Sequence, residues 1–156
     1  MFEVRDGART LQFNGVKLGA SSSWRAGSNR WIEFALHKTE SGSFVLSRVG
    51  VSNIFHSSTC ELVDRYGLHE IDTANLPASF VPCDECRPTR VEPLVFPEKY
   101  RYWTLVSDDP EAVLDALYKK DQFGTRYLTK VSQRLLEDAA ELDPEIDQVY
   151  HVEFIK

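Results

Sequence analysis

The sequence predicts an α+β fold, with an N-terminal antiparallel β-sheet, a loop module in the middle, and C-terminal helices with a final strand. Three observations support this: apolar residues alternate with polar ones near the start, irregular composition follows, and amphipathic helical patterns come last. These changes indicate boundaries at 1–50 for the β part, 51–88 for the loop module and 89–156 for the α/β part. A chain of 156 residues accommodates the three parts in one compact unit.

The first part contains two predicted strand pairs. Short apolar runs flank Asn14-Gly15, a dipeptide that favours a tight hairpin turn. Further along, "WIEFALHK" alternates so that Phe34 faces the predicted core while His37 faces the opposite, solvent side. The run "SFVLSRVG", after the turn "TESG", is predicted to pair with it. We therefore expect an antiparallel sheet with one buried face.

The C-terminal part carries helix signals. Asp108 is placed to cap a first helix, and Pro110 suits its first turn. A second helix is predicted from "TRYLTKVSQRLLEDAAEL", whose apolar stripe includes Leu142. Asp143-Pro144 is predicted to end that helix, and the tail "QVYHVEFIK" alternates as a final strand.

Composition and charge limit the function classes. Hydrophobic residues make up 42% of the chain and charged residues 27%, as in globular domains. The net charge of −6 disfavours non-specific nucleic-acid binding by the whole surface. Because no secretion signal and no apolar run of about 18–20 residues occurs, we expect a cytoplasmic location and no membrane association. No nucleotide-binding or hydrolase motif occurs, so we predict a non-enzyme without catalytic residues or an organic cofactor.

The stretches "HSSTC" and "PCDECRP" hold all three cysteines of the chain. Together they read His56-x3-Cys60, a gap of 22 residues, then Cys83-x2-Cys86. Thiolate sulfur and neutral imidazole nitrogen are the ligands that zinc takes in tetrahedral sites. The pattern therefore predicts one Zn²⁺ that staples the loop module. His69 also lies between the pairs and competes with His56 for the fourth position.

Four protein ligands leave no open position for water or substrate, so the predicted zinc is structural. Acidic residues border the pattern at Glu61, Asp84 and Glu85. The simplest interpretation is that they are solvated. Alternatively, one of them accepts a hydrogen bond from the ring N–H of His56.

The segment "GVSNIFHSSTC…VPCDECRP" resembles the zinc-binding domain of the bacterial Ada DNA-repair protein, and is closer to the shorter form found in some nucleases. The resemblance covers residues 50–88 and implies the same four ligands. In the Ada protein the first ligand is a cysteine that accepts a methyl group, whereas here that position is His56, so the resemblance does not imply methyl transfer. The whole chain is similar to uncharacterised actinobacterial proteins with a β-rich N-terminal part and this zinc module.

Aromatic and basic residues alternate in the loop that contains Trp24, Arg25, Arg30 and Trp31. Such a loop suits a protein interface, where Trp and Arg are enriched, or single-stranded nucleic acid. It also fits tryptophans at the edge of the core with solvated arginines. We therefore predict an adaptor or regulatory protein that binds a protein partner, and keep a DNA-associated factor as the alternative. The oligomeric state is left open.

Overall fold

A computed structural model confirms the α+β class, with twelve strands and three helices in the part of the chain it describes. The described residues are 1–61, 68–71, 79–88, 94–97, 100–153 and 155. The strands are β1 (Phe2–Asp6), β2 (Arg9–Phe13), β3 (Gly15–Ser22), β4 (Arg30–Thr39), β5 (Phe44–Ser52), β6 (Ile54–Ser57), β7 (Leu68–Ile71), β8 (Val81–Pro82), β9 (Leu94–Pro97), β10 (Tyr100–Ser107), β11 (Lys119–Lys120) and β12 (Arg126–Tyr127). The helices are α1 (Pro110–Leu117), α2 (Lys130–Leu142) and α3 (Pro144–His151).

The strands form four sheets, and the backbone divides into two compact units. The larger sheets have the strand orders β10-β5-β4-β3 and β7-β9-β6-β8, and the pairs β1-β2 and β11-β12 are two-stranded. The first unit comprises Met1–Ser23, Glu33–Val49 and Tyr102–Lys156. The second comprises Trp24–Ile32 and Gly50–Arg101.

In the first unit, one face of the four-stranded sheet packs on α2. The hydroxyl of Ser21 on β3 donates a 2.8 Å hydrogen bond to the carbonyl of Val131 in α2. Ser21 lies opposite Phe34 of β4, so Phe34 shares that face, and it is 9% exposed. Leu36, two residues further on, is fully buried. The predicted buried face of β4 is therefore confirmed.

The β1-β2 hairpin covers the other face, and this corrects the prediction for Asn14-Gly15. The turn lies at Gly7, whose φ is +56°, and β2 pairs with β1 rather than with β3. Gly15 instead begins β3 opposite Thr39, where an added Cβ would overlap the carbonyl oxygen of Lys38. Glycine is needed there for close approach of two backbones, not for a tight hairpin turn.

His37 is buried, which contradicts the predicted solvent-facing position. Its side chain points away from the α2 side of β4, as predicted, but the N-terminal hairpin covers it. The ring centroids of Phe2 and Phe13 lie 4.4 Å and 5.3 Å from the imidazole. Strand periodicity assigned the face correctly but could not show that a hairpin packs on it.

Capping side chains determine where the helices α1 and α3 begin. The carboxylate of Asp109, one residue after the predicted cap, accepts the N–H of Glu111 at 2.9 Å and begins α1. Asp143 accepts the N–H groups of Glu145 and Ile146, and so begins α3. The predicted final strand is therefore wrong, because the tail through His151 is helical. No helix in the described residues is long and apolar enough to cross a membrane.

The second unit has a small core of its own, formed by Phe55, Phe80 and Leu94. Residues Phe55 and Leu94 come from the adjacent strands β6 and β9. Next to this core lies a second cluster, made by Cys60 and Cys83 with partly buried apolar neighbours. Three strands of this unit's four-stranded sheet lie in the predicted loop module, whereas β9 lies beyond residue 88, in the predicted α/β part.

Candidate metal centre

The first pair of predicted ligands is placed by the end of β6 and the turn that follows. His56 belongs to β6 and is fully buried. The N–H of Cys60 donates a 3.0 Å hydrogen bond to the carbonyl of Ser57, which closes a tight turn. The hydroxyl groups of Ser57 and Thr59 are hydrogen-bonded at 2.9 Å inside this turn. The three-residue spacing therefore returns Cys60 to the side of the chain that carries His56.

The second pair follows β8, which runs parallel to β6. Phe55 lies opposite Pro82 in this pairing, so His56 and Cys83 occupy the next positions along the two strands. The N–H of Cys83 donates to the carbonyl of Phe55 at 2.9 Å. A turn then carries the chain to Cys86. Parallel pairing of two short strands thus brings together residues 27 positions apart in sequence.

The four predicted ligands come together in space. The ligand atoms of His56, Cys60, Cys83 and Cys86 all lie within 4.8 Å of one another. In a tetrahedral zinc site with Zn–S bonds of about 2.3 Å, ligand sulfurs are about 3.8 Å apart. Small side-chain movements therefore suffice to place all four atoms around one ion. Cys60 and Cys83 are buried, while Cys86 is partly exposed.

The imidazole of His56 supports a metal-binding role. Both of its ring nitrogens are buried and have no hydrogen-bond partner among the described residues. A buried polar group without a partner is costly, and coordination of a metal by one nitrogen would remove much of that cost. Burial, and to a lesser extent the charge of Arg30, lowers the pKa of His56, and Glu85 opposes this. The neutral imidazole is the form that binds metals.

The three sulfur atoms require a cation to ionise together. Burial and the neighbouring thiols raise the pKa of Cys86 to about 11, although the N–H of Ser57 opposes the shift. Burial also raises the pKa of Cys83, but the N–H groups of Glu85 and Cys86 outweigh it and lower that pKa overall. Thiolates bind metals, and a divalent cation offsets the repulsion between them. The donor set fits one zinc ion.

The acidic neighbours form no hydrogen bond with the imidazole. Glu61, Asp84 and Glu85 are exposed, and none accepts a hydrogen bond from His56. The interpretation as solvated acids agrees with this arrangement. The competing ligand His69 belongs to β7, but its side chain lies outside the described part of the structure.

The Trp24–Ile32 loop holds these aromatic and basic residues in the same compact unit as the metal centre. Its extent differs from the prediction, because Arg30 and Trp31 already belong to β4. The carbonyl of Asn29 accepts a 2.9 Å hydrogen bond from the N–H of Asn53, the residue before β6. Trp24 is 56% exposed, Arg25 and Arg30 are exposed, and Trp31 is half-buried. A cavity of about 480 Å³ lies between loop and ligands, lined by Asn29, Arg30, Ile54, Val81, Pro82, Cys83, Asp84 and Glu85.

Comparison with family models, with curated proteins and with solved structures found no match for this chain. The interpretation of the site therefore depends on its own geometry and chemistry. Residues 118–130 form a second basic and aromatic segment, which was not predicted as a site. They comprise the exposed β11-β12 hairpin and its flanking residues up to Lys130, the first residue of α2. The sequence feature that could have identified it is the alternation of aromatic and basic residues, which is also present in the Trp24–Ile32 loop.

Proposed function

We propose that this protein binds one Zn²⁺ through His56, Cys60, Cys83 and Cys86, and that the ion staples the second unit. The observation that carries the proposal is the convergence of the four ligand atoms within 4.8 Å. The ligand order and spacing, which resemble the Ada-type zinc domain, support it further. Because all four positions around zinc would be filled by protein, the ion has a structural role rather than a catalytic one.

A stapled module that performs no chemistry acts through its surface. The exposed Trp24 and Arg25 supply residue types that are enriched in binding hot spots, and the loop that holds them adjoins the metal ligands. We therefore infer a non-enzymatic adaptor or regulatory protein that presents this surface to a protein partner. Metal binding rigidifies the surface, because the ligands fix the β6 and β8 segments on which the loop rests.

The metal proposal is tested by metal content per chain, measured by mass spectrometry on protein purified without added metal or a metal-binding tag. We expect one zinc in the wild type and a large loss in His56→Ala. The matched control is His151→Ala, which removes an exposed histidine from α3. A wild-type protein without zinc, or His56→Ala protein with a full zinc content, would refute the proposed site.

The adaptor proposal is tested by affinity capture with quantitative identification of bound proteins. Wild type is compared with Trp24→Ala, which changes the surface, and with Trp103→Ala, an exposed tryptophan of the first unit. A partner that is lost with the first variant and kept with the second supports the loop as the interface. Equal recovery with both variants argues against it.

A second candidate is a DNA-associated factor, which the position of Arg30 favours. Arg30 lines the same cavity as Cys83, and the Ada-type module to which the segment is similar belongs to a DNA-repair protein. Phosphate contacts weaken steeply with salt. A gel shift that disappears in Arg25→Glu and Arg30→Glu proteins, and that weakens with salt, would favour this candidate over a protein partner.

A further inference from the structure

The β11-β12 hairpin concentrates positive charge on an acidic chain. Residues 118–130 contain four of the 18 basic residues but only one of the 24 acidic ones. The basic residues are Lys119, Lys120, Arg126 and Lys130, and all four are exposed. Three aromatic residues are interleaved with them, namely Tyr118, Phe123 and Tyr127. This patch differs in sign from the remainder of the chain.

The turn of the hairpin holds an aromatic ring in solvent. One carboxylate oxygen of Asp121 accepts the N–H groups of Phe123 at 2.8 Å and Thr125 at 2.9 Å. Gly124, with φ of +81°, completes the turn. Phe123 at the apex is 83% exposed, and Tyr127 on β12 is 44% exposed. The ordered turn therefore presents the phenyl ring to solvent, where a ligand can reach its face.

The acidic side chains near the hairpin, Asp121 and Asp115, already have hydrogen-bond or ion-pair partners. Asp121 is used by the turn, and Asp115 forms a 2.8 Å ion pair with Arg126, whose guanidinium also lies 4.1 Å from the ring centroid of Tyr118. Within the described residues, Lys119, Lys120 and Lys130 form no ion pair. The three ammonium groups are therefore available to an external anion.

We propose that the β11-β12 hairpin, with the adjoining Lys130 of α2, binds single-stranded nucleic acid, with a base stacked on Phe123 and the lysines facing phosphates. Proteins that bind single strands combine exposed aromatic rings with cations along the backbone path. An acidic peptide would use the lysines but not the ring face. Short strands of two residues offer no helix to enter a duplex groove, so a single strand is the form that suits the hairpin.

This inference goes beyond the proposed function and does not depend on it. The hairpin belongs to the first compact unit, whereas the metal centre and the Trp24–Ile32 loop belong to the second. Nucleic-acid binding by the hairpin should persist in protein whose zinc site or loop is altered. The acidic remainder of the chain opposes polyanions, so we expect binding at low salt and steep loss as salt rises.

The test is fluorescence anisotropy with a labelled oligothymidylate of about 12 nucleotides, the length that an ssDNA-binding fold covers. Three lysine–phosphate contacts give a slope of log affinity against log salt of about −2. Phe123→Ala should weaken binding by about ten-fold, through loss of one stacked base. Phe123→Trp should retain binding, and Phe123→Leu should not, because leucine keeps the apolar contact but lacks a ring face.

The charge is tested with Lys119→Glu/Lys120→Glu, which should abolish binding. Its control is Lys17→Glu, a single charge reversal at an exposed lysine of β3 in the same unit. Unchanged melting temperatures show that these variants fold. Because Phe123 and both hairpin lysines are exposed, no loss of stability is expected.

Four outcomes overturn the proposal. They are absence of oligonucleotide binding at low salt, equal binding by wild type and Phe123→Ala, equal binding by Phe123→Leu and Phe123→Trp, and binding to anionic phospholipid vesicles without binding to the oligonucleotide. If Arg30→Glu protein lost oligonucleotide binding while Phe123→Ala protein kept it, the binding site would be the Trp24–Ile32 loop beside the metal centre rather than the hairpin.

Discussion

The backbone N–H of Ser57 donates a 3.3 Å hydrogen bond to Sγ of Cys86, across 29 positions of sequence. Ser57 directly follows the ligand His56, and Cys86 ends the second ligand pair. An N–H group directed at a sulfur favours the thiolate over the thiol. One backbone contact thus joins the two ligand pairs and partly offsets the burial that raises the pKa of Cys86.

Loss of a ligand should destabilise the second unit. Cys83→Ser removes a buried sulfur and, with it, the folding free energy that the proposed zinc would supply. We expect the melting temperature to fall by more than about 10 °C. Chelator should lower the melting temperature of the wild type but have little effect on the variant. A melting curve unchanged by the substitution would contradict a structural metal.

The exposed acid between the two second-pair ligands should be dispensable. Glu85 is exposed and accepts no hydrogen bond from His56. We expect Glu85→Ala protein to keep one zinc per chain and a melting temperature within a few degrees of the wild type. It therefore serves as the matched control for Cys83→Ser, and zinc loss in this variant would show that the acid supports the site.

The start of α3 should be a sensitive point of the first unit. Asp143 is 3% exposed and caps α3. Its carboxylate also forms an ion pair with the ammonium of Lys38 on β4, at 2.7 Å. Its substitution by Ala leaves the N–H groups of Glu145 and Ile146 without their acceptor. It also removes the buried partner of Lys38, whose ammonium keeps the exposed carboxylate of Glu145 at 3.0 Å. We expect the free energy of unfolding to fall by about 2–4 kcal/mol in denaturant titrations.

The control for Asp143→Ala is Asp147→Ala, in the same helix. Asp147 forms an exposed ion pair with His151 at 2.7 Å. Exposed pairs contribute little, so a loss below about 0.5 kcal/mol is expected. If both variants lost the same stability, the capping and burial of Asp143 would not be the reason.

The N-terminal hairpin should loosen in acid because of His37. Burial, and to a lesser extent the charge of Lys17, lowers the pKa of His37 below its usual value of 6.5. The folded state therefore holds the neutral imidazole, while the unfolded chain takes up a proton near pH 6.5. Stability is full above that pH and falls as pH drops towards the lowered folded pKa.

Melting temperatures measured from pH 8 to pH 5 test this prediction. His37→Phe keeps a ring against Phe2 and Phe13 but cannot titrate. Acid also affects the metal ligands in both proteins, so the difference between wild type and variant is the informative quantity. We expect the wild type to lose more stability than the variant below pH 6.5, and parallel curves would exclude a role for His37.

Gly15 should not tolerate a side chain. Its neighbour across the sheet is Thr39, and an added Cβ would overlap the carbonyl oxygen of Lys38. We expect Gly15→Ala to cost about 2 kcal/mol or more of unfolding free energy. Ala20→Ser, an equally small change at an exposed position of the same strand, provides the comparison, and equal stability of the two proteins would contradict the close approach.

Much of the candidate site followed from sequence spacing. The gaps within His56-x3-Cys60 and Cys83-x2-Cys86 are short, and each pair is closed by a local turn. Local geometry is readable from sequence because few backbone conformations connect residues three or four positions apart. The α+β class followed equally from the two periodicities of apolar residues.

The tertiary structure decided three features. They are the register of β6 against β8, the burial of His37, and the placement of the Trp24–Ile32 loop beside the candidate metal ligands. Each depends on contacts between segments far apart in the chain, which periodicity and spacing do not encode. The C-terminal tail is another example. Its alternation of apolar and polar residues predicted a strand, but capping by Asp143 and packing against α2 make it helical through His151. Sequence alone thus predicted the candidate ligand set and the class of fold, and long-range packing determined which side chains are exposed.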